Sequence, residues 1–148
     1  MMEEKEKAWK TVSSKYLFRR PWLTVRCEDM LLPNGNHIPE YYILEYPDWV
    51  NTIAITKDGK FVFVRQYRPG LGRTSYELCA GVCDKEDASP LVSAQRELWE
   101  ETGYGKGNWQ EYMVISANPS THTNLIHCFL ATDVEPIDHQ HLEDTEDL

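Results

Sequence analysis

One segment of the chain, from Ser89 to Gly103, combines the signals of an α-helix and restricts the possible folds more than any other feature. Ser89 can cap the first turn, Pro90 fits the first helical position, and Gly103 can end the helix. Apolar residues recur at helical spacing and predict a stripe that packs on the core: Leu91, Ala94 and Leu98. The fold must therefore cover one face of this helix.

Most of the remaining chain carries strand signals. Between residues 15 and 46, apolar and polar residues alternate around a turn at 33–36. Further predicted strands are Trp49–Thr56, Lys60–Tyr67, Glu111–Ser116 and Ile126–Ala131, with a hairpin turn at 57–59 and a loop at 68–75. We predict an α/β or α+β fold in which a mixed, mostly antiparallel sheet surrounds one central helix.

Composition narrows the possible partners. The 148-residue chain has a formal net charge of −9, which argues against a general nucleic-acid surface. Its apolar runs are far shorter than the roughly 20 residues of a membrane span, and the charged residues 1–10 do not resemble a secretory signal. The four cysteines follow no disulfide or zinc pattern. We expect no nucleic-acid or membrane partner, and reduced thiols in a cytoplasmic protein.

Three glutamates give the helix its chemistry. Glu97 lies three residues before Glu100 and four before Glu101, so all three carboxylates project from one side. Like charges at this spacing destabilise a helix by roughly 0.2–0.5 kcal/mol per pair. A cation between them would offset that cost, and hard oxygen ligands favour Mg²⁺ or Mn²⁺ over zinc. The alternative interpretation is a solvated acidic helix face.

The residues around the glutamates distinguish these interpretations. From Gly81 to Tyr104 the chain resembles the Nudix box, G-x5-E-x7-R-E-U-x-E-E-x-G-U, in which U is a bulky apolar residue. The matching positions are Gly81, Arg96, Glu97, Leu98, Glu100, Glu101, Gly103 and Tyr104. Ala88 stands where the first acidic residue belongs, and Asp87 precedes it, which indicates a loop with one extra residue.

Outside the box, the chain resembles the ADP-ribose pyrophosphatase branch of the Nudix family. Residues 65–68 read RQYR and residues 77–81 read ELCAG, where the branch has RQYR and ELPAG, and Pro119 also matches. The resemblance implies a Nudix-type α/β/α sandwich with a mixed sheet, with a hydrolase domain at 49–148 and an N-terminal antiparallel β subdomain at 1–48. Early strands of this branch often exchange between subunits, so the resemblance also implies a homodimer.

The resemblance assigns roles to individual residues. The implied magnesium ligands are the Ala80 carbonyl, Glu97 and Glu101. Glu100 is either a further ligand or a neighbour of the ligands, and Glu77 is close to the metal. The implied substrate contacts are Arg68, Arg65 and Trp49. Arg68 would bind phosphate, and Trp49 could stack on a base or else pack in the core or a dimer interface. The implied structural residues of the box are Gly81, Asp87, Arg96 and Gly103, with Arg96 pairing with a box carboxylate.

The catalytic base of the branch lies on a loop well after the box. The acidic segment at 143–147 occupies that place, with Glu146 the first candidate and Glu143 the second, and Glu100 a further catalytic candidate within the box. A loop carboxylate that closes over the substrate could activate water only when the site is filled. A solvated acidic tail is the alternative.

The resemblance implies a magnesium-dependent enzyme that cleaves the diphosphate bond of a nucleoside diphosphate linked to a sugar. ADP-ribose is the first candidate substrate, and the products would be a nucleoside monophosphate and a sugar phosphate. Other nucleotide substrates are the alternative: a dinucleoside polyphosphate, a GDP- or UDP-sugar, or a nucleoside triphosphate. A second alternative is a sensor that binds ADP-ribose-like ligands without cleaving them.

Overall fold

The computed structural model describes residues 7–142, 144, 147 and 148, and the chain divides into two compact units. The described residues up to Tyr46 form the first unit together with Asn118–Asn124. The second unit comprises Pro47–Ala117 and the described residues from Leu125 onward.

Backbone hydrogen bonds explain why residues 118–124 belong to the first unit. The Leu44 amide donates to the Thr121 carbonyl at 2.8 Å, and the Thr123 amide donates to the Leu44 carbonyl at 3.1 Å. The predicted division after residue 48 stays a prediction. The predicted domain 49–148 includes residues 118–124, whereas in the structure these residues belong to the first unit.

The first unit is a three-stranded antiparallel sheet in the order β1-β2-β3. Its strands are β1 Lys10–Arg20, β2 Leu23–Leu31 and β3 His37–Glu45. Residues 32–36 form the turn between β2 and β3, as the Pro-Asn-Gly-Asn sequence predicts. Every residue of β1 is exposed within this chain.

The second unit contains a mixed sheet and one helix, which confirms the predicted fold class. Its elements are β4 Trp49–Thr56, β5 Phe61–Val62, β6 Val64–Arg68, β7 Arg73–Glu77, β8 Cys79–Val82, α1 Pro90–Thr102, β9 Tyr104–Gly105, β10 Asn108–Ile115 and β11 Ile126–Pro136. The main sheet runs β10-β11-β4-β5, with β8 on β4 and β9 on β11. The β4–β11 pair is parallel, and the other pairs are antiparallel.

Two predicted boundaries in this unit were wrong. The single strand expected at Lys60–Tyr67 is divided, because β5 pairs with β4 whereas β6 pairs with β7 in a separate hairpin. The loop expected at 68–75 is shorter, since Arg73–Glu77 joins the β6–β7 ladder. The pairing of β6 with β7 in a hairpin thus overrides the glycine and arginine signals that favoured a loop.

Helix α1 begins and ends where its sequence predicts. The Ser89 hydroxyl accepts a hydrogen bond from the Val92 amide, Pro90 opens the helix, and Gly103 ends it with a φ of 71°. A side chain at Gly103 would also collide with the Asp138 carbonyl, 2.2 Å from the position of its Cβ. Glycine is therefore required there by both backbone conformation and space.

The predicted apolar stripe of α1 packs on the main sheet. Ala94 and Leu98 are fully buried, and Leu91 is partly buried against the core. Burial of a leucine side chain contributes about 1.5–3 kcal/mol to stability.

Across the described residues α1 is the one helix, so the second helical layer of the implied sandwich is not among them. No helix in this part of the chain has the length and apolar character needed to cross a membrane.

Candidate active site

Strand β8 holds two of the helix glutamates in place. The Ala80 amide donates a hydrogen bond to a carboxylate oxygen of Glu101 at 3.3 Å. Gly81 lies directly against the Glu97 carboxylate, because a Cβ at Gly81 would be 2.0 Å from Glu97 Cδ. Glu101 is only 6% exposed. The glycine of the box therefore creates the space into which the Glu97 carboxylate fits.

Arg96 supplies the positive charge that the glutamate cluster requires. Its Nη1 donates to Glu97 at 3.0 Å and to Glu100 at 2.9 Å. Burial alone would lower the pKa of Arg96, but hydrogen bonds to Asp87 and Glu100 raise it above its usual value. The guanidinium therefore stays charged and reduces the repulsion between carboxylates along the helix.

The same guanidinium ties the loop before the helix to β8. Arg96 Nη2 donates to Asp87 at 3.1 Å and to the Val82 carbonyl at 3.0 Å, and it lies 3.3 Å from Asp84. The extra loop residue at Ala88 thus does not prevent Asp87 from reaching Arg96. The resemblance pointed to Asp87, but Asp84 and the Val82 carbonyl carry no sequence signal for this contact.

The charge balance of the cluster favours a bound cation. One guanidinium faces four carboxylates, namely Asp84, Asp87, Glu97 and Glu100, and Glu101 lies on the same helix. The donors are all hard oxygens, which suit Mg²⁺ or Mn²⁺ and not a soft metal ion. Glu97, Glu100 and Glu101 are therefore chemically suited to hold a divalent ion.

Cys79 does not add a nucleophile to this site. Burial, reinforced by the negative charge of Glu101, raises the pKa of its thiol well above the usual value. The side chain is 1% exposed and belongs to the apolar core beside Leu98. The cysteine that replaces the proline of the branch is therefore a packing residue in its protonated form.

Arg68 forms an ion pair with Glu77 across the β6–β7 hairpin. Its Nε and Nη2 donate to one Glu77 oxygen at 2.9 and 2.7 Å, and Ser75 donates to the other at 2.5 Å. The hydrogen bond from Arg68 lowers the pKa of Glu77, with Ser75 contributing in the same direction. Glu77 orients the guanidinium, and the Arg68 side chain is 43% exposed, which leaves it accessible to a phosphate.

A cavity of about 450 Å³ lies beside this pair. It is lined by Trp49, Val50, Asn51, Arg68, Ala80, Gly81, Val82 and Ile126. Its volume lies within the range of small-molecule sites, about 300–1,000 Å³. Ala80 and Gly81 thus line the cavity while also contacting the helix carboxylates. Trp49 and Arg68 thus line the same cavity.

Arg65 lies elsewhere. It lines a different cavity, together with Glu101, Thr102 and Gln140. Because Arg65 and Arg68 are an odd number of residues apart on β6, their side chains leave opposite faces of the strand. The implied contact of Arg65 with the same substrate therefore lacks support from its position.

The two candidate bases, Glu143 and Glu146, lie outside the described residues.

The segment after β11 contacts the C-terminal end of α1, which sequence reasoning missed. The Gln140 side chain donates to the Glu101 carbonyl at 2.6 Å, and the His141 amide donates to the Glu100 carbonyl at 2.8 Å. These bonds satisfy carbonyls that the last turn of a helix leaves unpaired. No local pattern in an acidic, irregular stretch indicates such a capping role.

Two known family models match this chain. Residues 46–148 match the NUDIX domain, and residues 9–44 match the nucleoside diphosphate sugar hydrolase N-terminal domain. The ADP-ribose pyrophosphatase of Bacillus subtilis (strain 168) is 32% identical over 129 residues, which cover 87% of this chain and 69% of that protein.

Two further relatives are similar over much of this chain. The methanol dehydrogenase activator of Bacillus methanolicus is 34% identical, over 82% of this chain and 65% of its own length. The ADP-ribose pyrophosphatase of Mycobacterium tuberculosis (strain ATCC 25618 / H37Rv) is 28% identical, over 89% of this chain and 63% of its own length. The chain thus spans about two thirds of the length of these relatives.

A solved structure has the same fold. The crystal structure of an ADP compounds hydrolase superposes with a TM-score of 0.79 at 24% identity, covering 93% of this chain and 72% of that one. This likeness shows the fold. The NUDIX match over more than half of the chain, with the match of the N-terminal domain, establishes that the chain belongs to the Nudix family and carries the N-terminal domain of nucleoside diphosphate sugar hydrolases.

Proposed function

We propose that this chain hydrolyses the diphosphate linkage of a nucleoside diphosphate bound to a sugar, with ADP-ribose as the first substrate. The products are a nucleoside monophosphate and a sugar phosphate. The observation that carries the proposal is the position of β8, whose residues Ala80 and Gly81 contact the helix glutamates and also line the cavity that contains Arg68. A diphosphate in this cavity would lie beside both the metal-binding carboxylates and a guanidinium.

The names of the relatives support the choice of substrate. Two of them are called ADP-ribose pyrophosphatases, and the matched N-terminal domain is described for nucleoside diphosphate sugar hydrolases. Nudix enzymes that act on other nucleotides carry the same box, so the preferred base and sugar must be identified by direct assay.

Magnesium is the ion we propose, with manganese able to replace it. Nudix hydrolases generally use a divalent metal ion. Such an ion, when bound, stabilises the charge that develops on the diphosphate and lowers the pKa of a bound water. Glu97 and Glu101 would hold it, with Glu100 and Glu77 close by, and Arg96 limits the repulsion among them.

Arg68 would position the substrate. Its guanidinium presents several donors in a plane, which suits two oxygens of a diphosphate. Trp49 lines the same cavity and offers an aromatic surface to a nucleobase. Glu146 remains our first proposal for the base that takes a proton from the attacking water, and Glu143 the second. Glu100 is a third candidate, although Arg96 binds its carboxylate.

A substrate panel tests the proposal. The chain is incubated with Mg²⁺ and ADP-ribose, a GDP-sugar, a UDP-sugar, a dinucleoside polyphosphate or a nucleoside triphosphate, each with an EDTA control, and the products are separated by ion-exchange chromatography. We expect AMP and ribose phosphate from ADP-ribose, and no products with EDTA. Binding of ADP-ribose without cleavage would indicate the sensor alternative, and faster cleavage of another nucleotide would replace the proposed substrate.

Removing the Arg68 guanidinium is expected to weaken substrate binding. A hydrogen bond to a charged group contributes about 1.5–3 kcal/mol, so Arg68→Ala should lower kcat/KM by about 10–100-fold, mainly through KM. Arg65→Ala, on the opposite face of β6, should change kcat/KM by less than about threefold. Steady-state kinetics on both variants measure this. Equal losses in the two variants would contradict the proposed role of Arg68.

We also propose that the chain forms a homodimer through the first unit. One group of exposed apolar residues lies on β1, the following turn and the first residue of β2: Val12, Tyr16, Leu17, Phe18, Trp22 and Leu23. Trp22 is 81% exposed, and an apolar patch of this kind is typical of an interface. Because β1 is an edge strand, it also offers unpaired backbone groups to a second copy.

Light scattering after size-exclusion chromatography tests the dimer. The parent chain should have twice its mass of 17.3 kDa. Phe18→Ser should raise the dissociation constant by about tenfold or more. Phe61→Ser is the matched control, because Phe61 is similarly exposed (57% against 54%) but lies in the second unit. A monomeric parent, or equal effects of the two substitutions, would refute the interface.

We also propose a reducing, cytoplasmic location, which the four thiols support. All four cysteines are free, and Cys79 and Cys128 are buried. Unpaired cysteines persist best where thiols are kept reduced.

A further inference from the structure

Three potential metal ligands meet just after β11, away from the box glutamates in the sequence. One ligating atom from each of Asp138, His139 and His141 lies within 4.8 Å of the other two. The Asp138 carboxylate lies between the two imidazoles. One oxygen is 2.7 Å from His139 Nδ1, and the other is 3.0 Å from His141 Nε2. The centroids of the two imidazole rings are 4.3 Å apart.

The surrounding structure holds this cluster in position. The His141 amide donates to the Glu100 carbonyl, and the His141 ring stacks on Trp99 with centroids 4.2 Å apart. The Asp138 amide donates to the Gly103 carbonyl at 3.1 Å. A ligand set that is already ordered loses less conformational entropy when it binds an ion.

The electrostatic environment favours a cation at this position. The cluster lies at the C-terminal end of α1, where the helix macrodipole is negative. The Asp138 carboxylate, held by a backbone hydrogen bond from His139 at 2.8 Å, places a negative group beside the two imidazoles. The helix dipole and the carboxylate both attract a positive ion.

The donor set selects a different metal from the box glutamates. Imidazole nitrogen suits zinc, nickel, cobalt and copper, whereas Mg²⁺ prefers oxygen ligands only. Two imidazoles and one carboxylate also leave coordination positions for water, since these ions take four to six ligands.

We infer that Asp138, His139 and His141 form a binding site for a borderline transition-metal ion such as Zn²⁺ or Ni²⁺, distinct from the magnesium site of the box. The ion binds three side chains of one short segment and fixes that segment against the last turn of α1. The turn carries Glu100 and Glu101, so the site stabilises the end of the helix that holds the catalytic metal ligands. Binding of this ion requires no hydrolase activity.

A nickel titration of the untagged chain tests the site. Excess Mg²⁺ is present throughout to fill the box glutamates. Ni²⁺ quenches nearby indole fluorescence, and Trp99 stacks on a proposed ligand, so the quench reports local binding. Calorimetry on the same samples gives the stoichiometry. In thermal unfolding, a ligand of the folded state should raise Tm by several degrees at saturation.

Substitutions locate the bound ion. His139→Gln and His141→Gln should each raise the nickel Kd at least about tenfold, since even groups behind the ligands cost that much in metal sites. His37→Gln is the matched control, because His37 also contacts an aspartate, Asp29 at 3.1 Å, without a second imidazole nearby. Trp99→Phe should remove most of the quench while calorimetry still detects binding.

The outcomes are decisive in both directions. One equivalent of Ni²⁺ that both histidine substitutions weaken, and that His37→Gln and excess Mg²⁺ leave unchanged, supports the site. The inference is refuted if the parent shows no saturable binding, in which case the contacts are ion pairs alone. Binding that persists in the His139→Gln/His141→Gln double variant refutes it as well, since the ion would then bind elsewhere.

Discussion

Replacing Glu101 with glutamine is expected to lower kcat by at least about 100-fold while the chain keeps its fold. Glu101 is almost fully buried and accepts a hydrogen bond from the Ala80 amide, which the side-chain oxygen of glutamine can also accept. The substitution therefore keeps the shape and the hydrogen bond but removes the negative charge that a divalent ion requires. Steady-state kinetics with saturating Mg²⁺, together with urea unfolding, separate the two effects.

Glu86→Gln is the matched control for this substitution. Glu86 is exposed on the loop before α1, and no contact links it to the cluster in the described residues. It should keep kcat within about twofold of the parent, as is usual for surface substitutions. If Glu101→Gln retained more than a third of the parent kcat, Glu101 could not be a ligand of the catalytic metal.

Gly81→Ala is expected to lower kcat by about 10–100-fold with a change in unfolding free energy below about 1 kcal/mol. The new methyl group would lie 2.0 Å from Glu97 Cδ, so the carboxylate must leave its place. The displaced atoms are the far end of a flexible side chain, and Gly81 has no positive φ, so the fold has little reason to lose stability. The loss of kcat should therefore come from weaker metal binding.

Gly70→Ala provides the comparison. A Cβ at Gly70 would meet nothing within 4 Å, and its φ is not positive. This substitution should leave both kcat and stability close to the parent values. A large stability loss in Gly81→Ala with unchanged kcat per folded molecule would mean that the glycine serves the fold and not the position of Glu97.

Local sequence signals were sufficient to predict the ends of the helix and the placement of the glutamates on it. Ser89, Pro90 and Gly103 are recognisable because capping depends on single residues at fixed positions. The one-sided placement of Glu97, Glu100 and Glu101 follows from helical periodicity alone. These features require no knowledge of distant parts of the chain.

Contacts that depend on strand register or on the path of a loop were harder to predict from the sequence. The ion pair between Arg68 and Glu77 depends on the β6–β7 register, which a loop prediction for residues 68–75 concealed. The different cavity of Arg65 follows from the same strand geometry. Asp84 joins the Arg96 cluster through the path of a loop, for which no periodic pattern exists.

Mn²⁺ binding, measured by electron paramagnetic resonance on the parent and on a Glu97→Gln/Glu101→Gln double variant, tests the metal site most directly. Free Mn²⁺ gives a signal that weakens when the ion binds. We expect the parent to bind Mn²⁺ saturably and Mg²⁺ to compete for it, with the double variant folded but losing most of the affinity. Equal Mn²⁺ binding by the two proteins would contradict a catalytic metal held by the α1 glutamates.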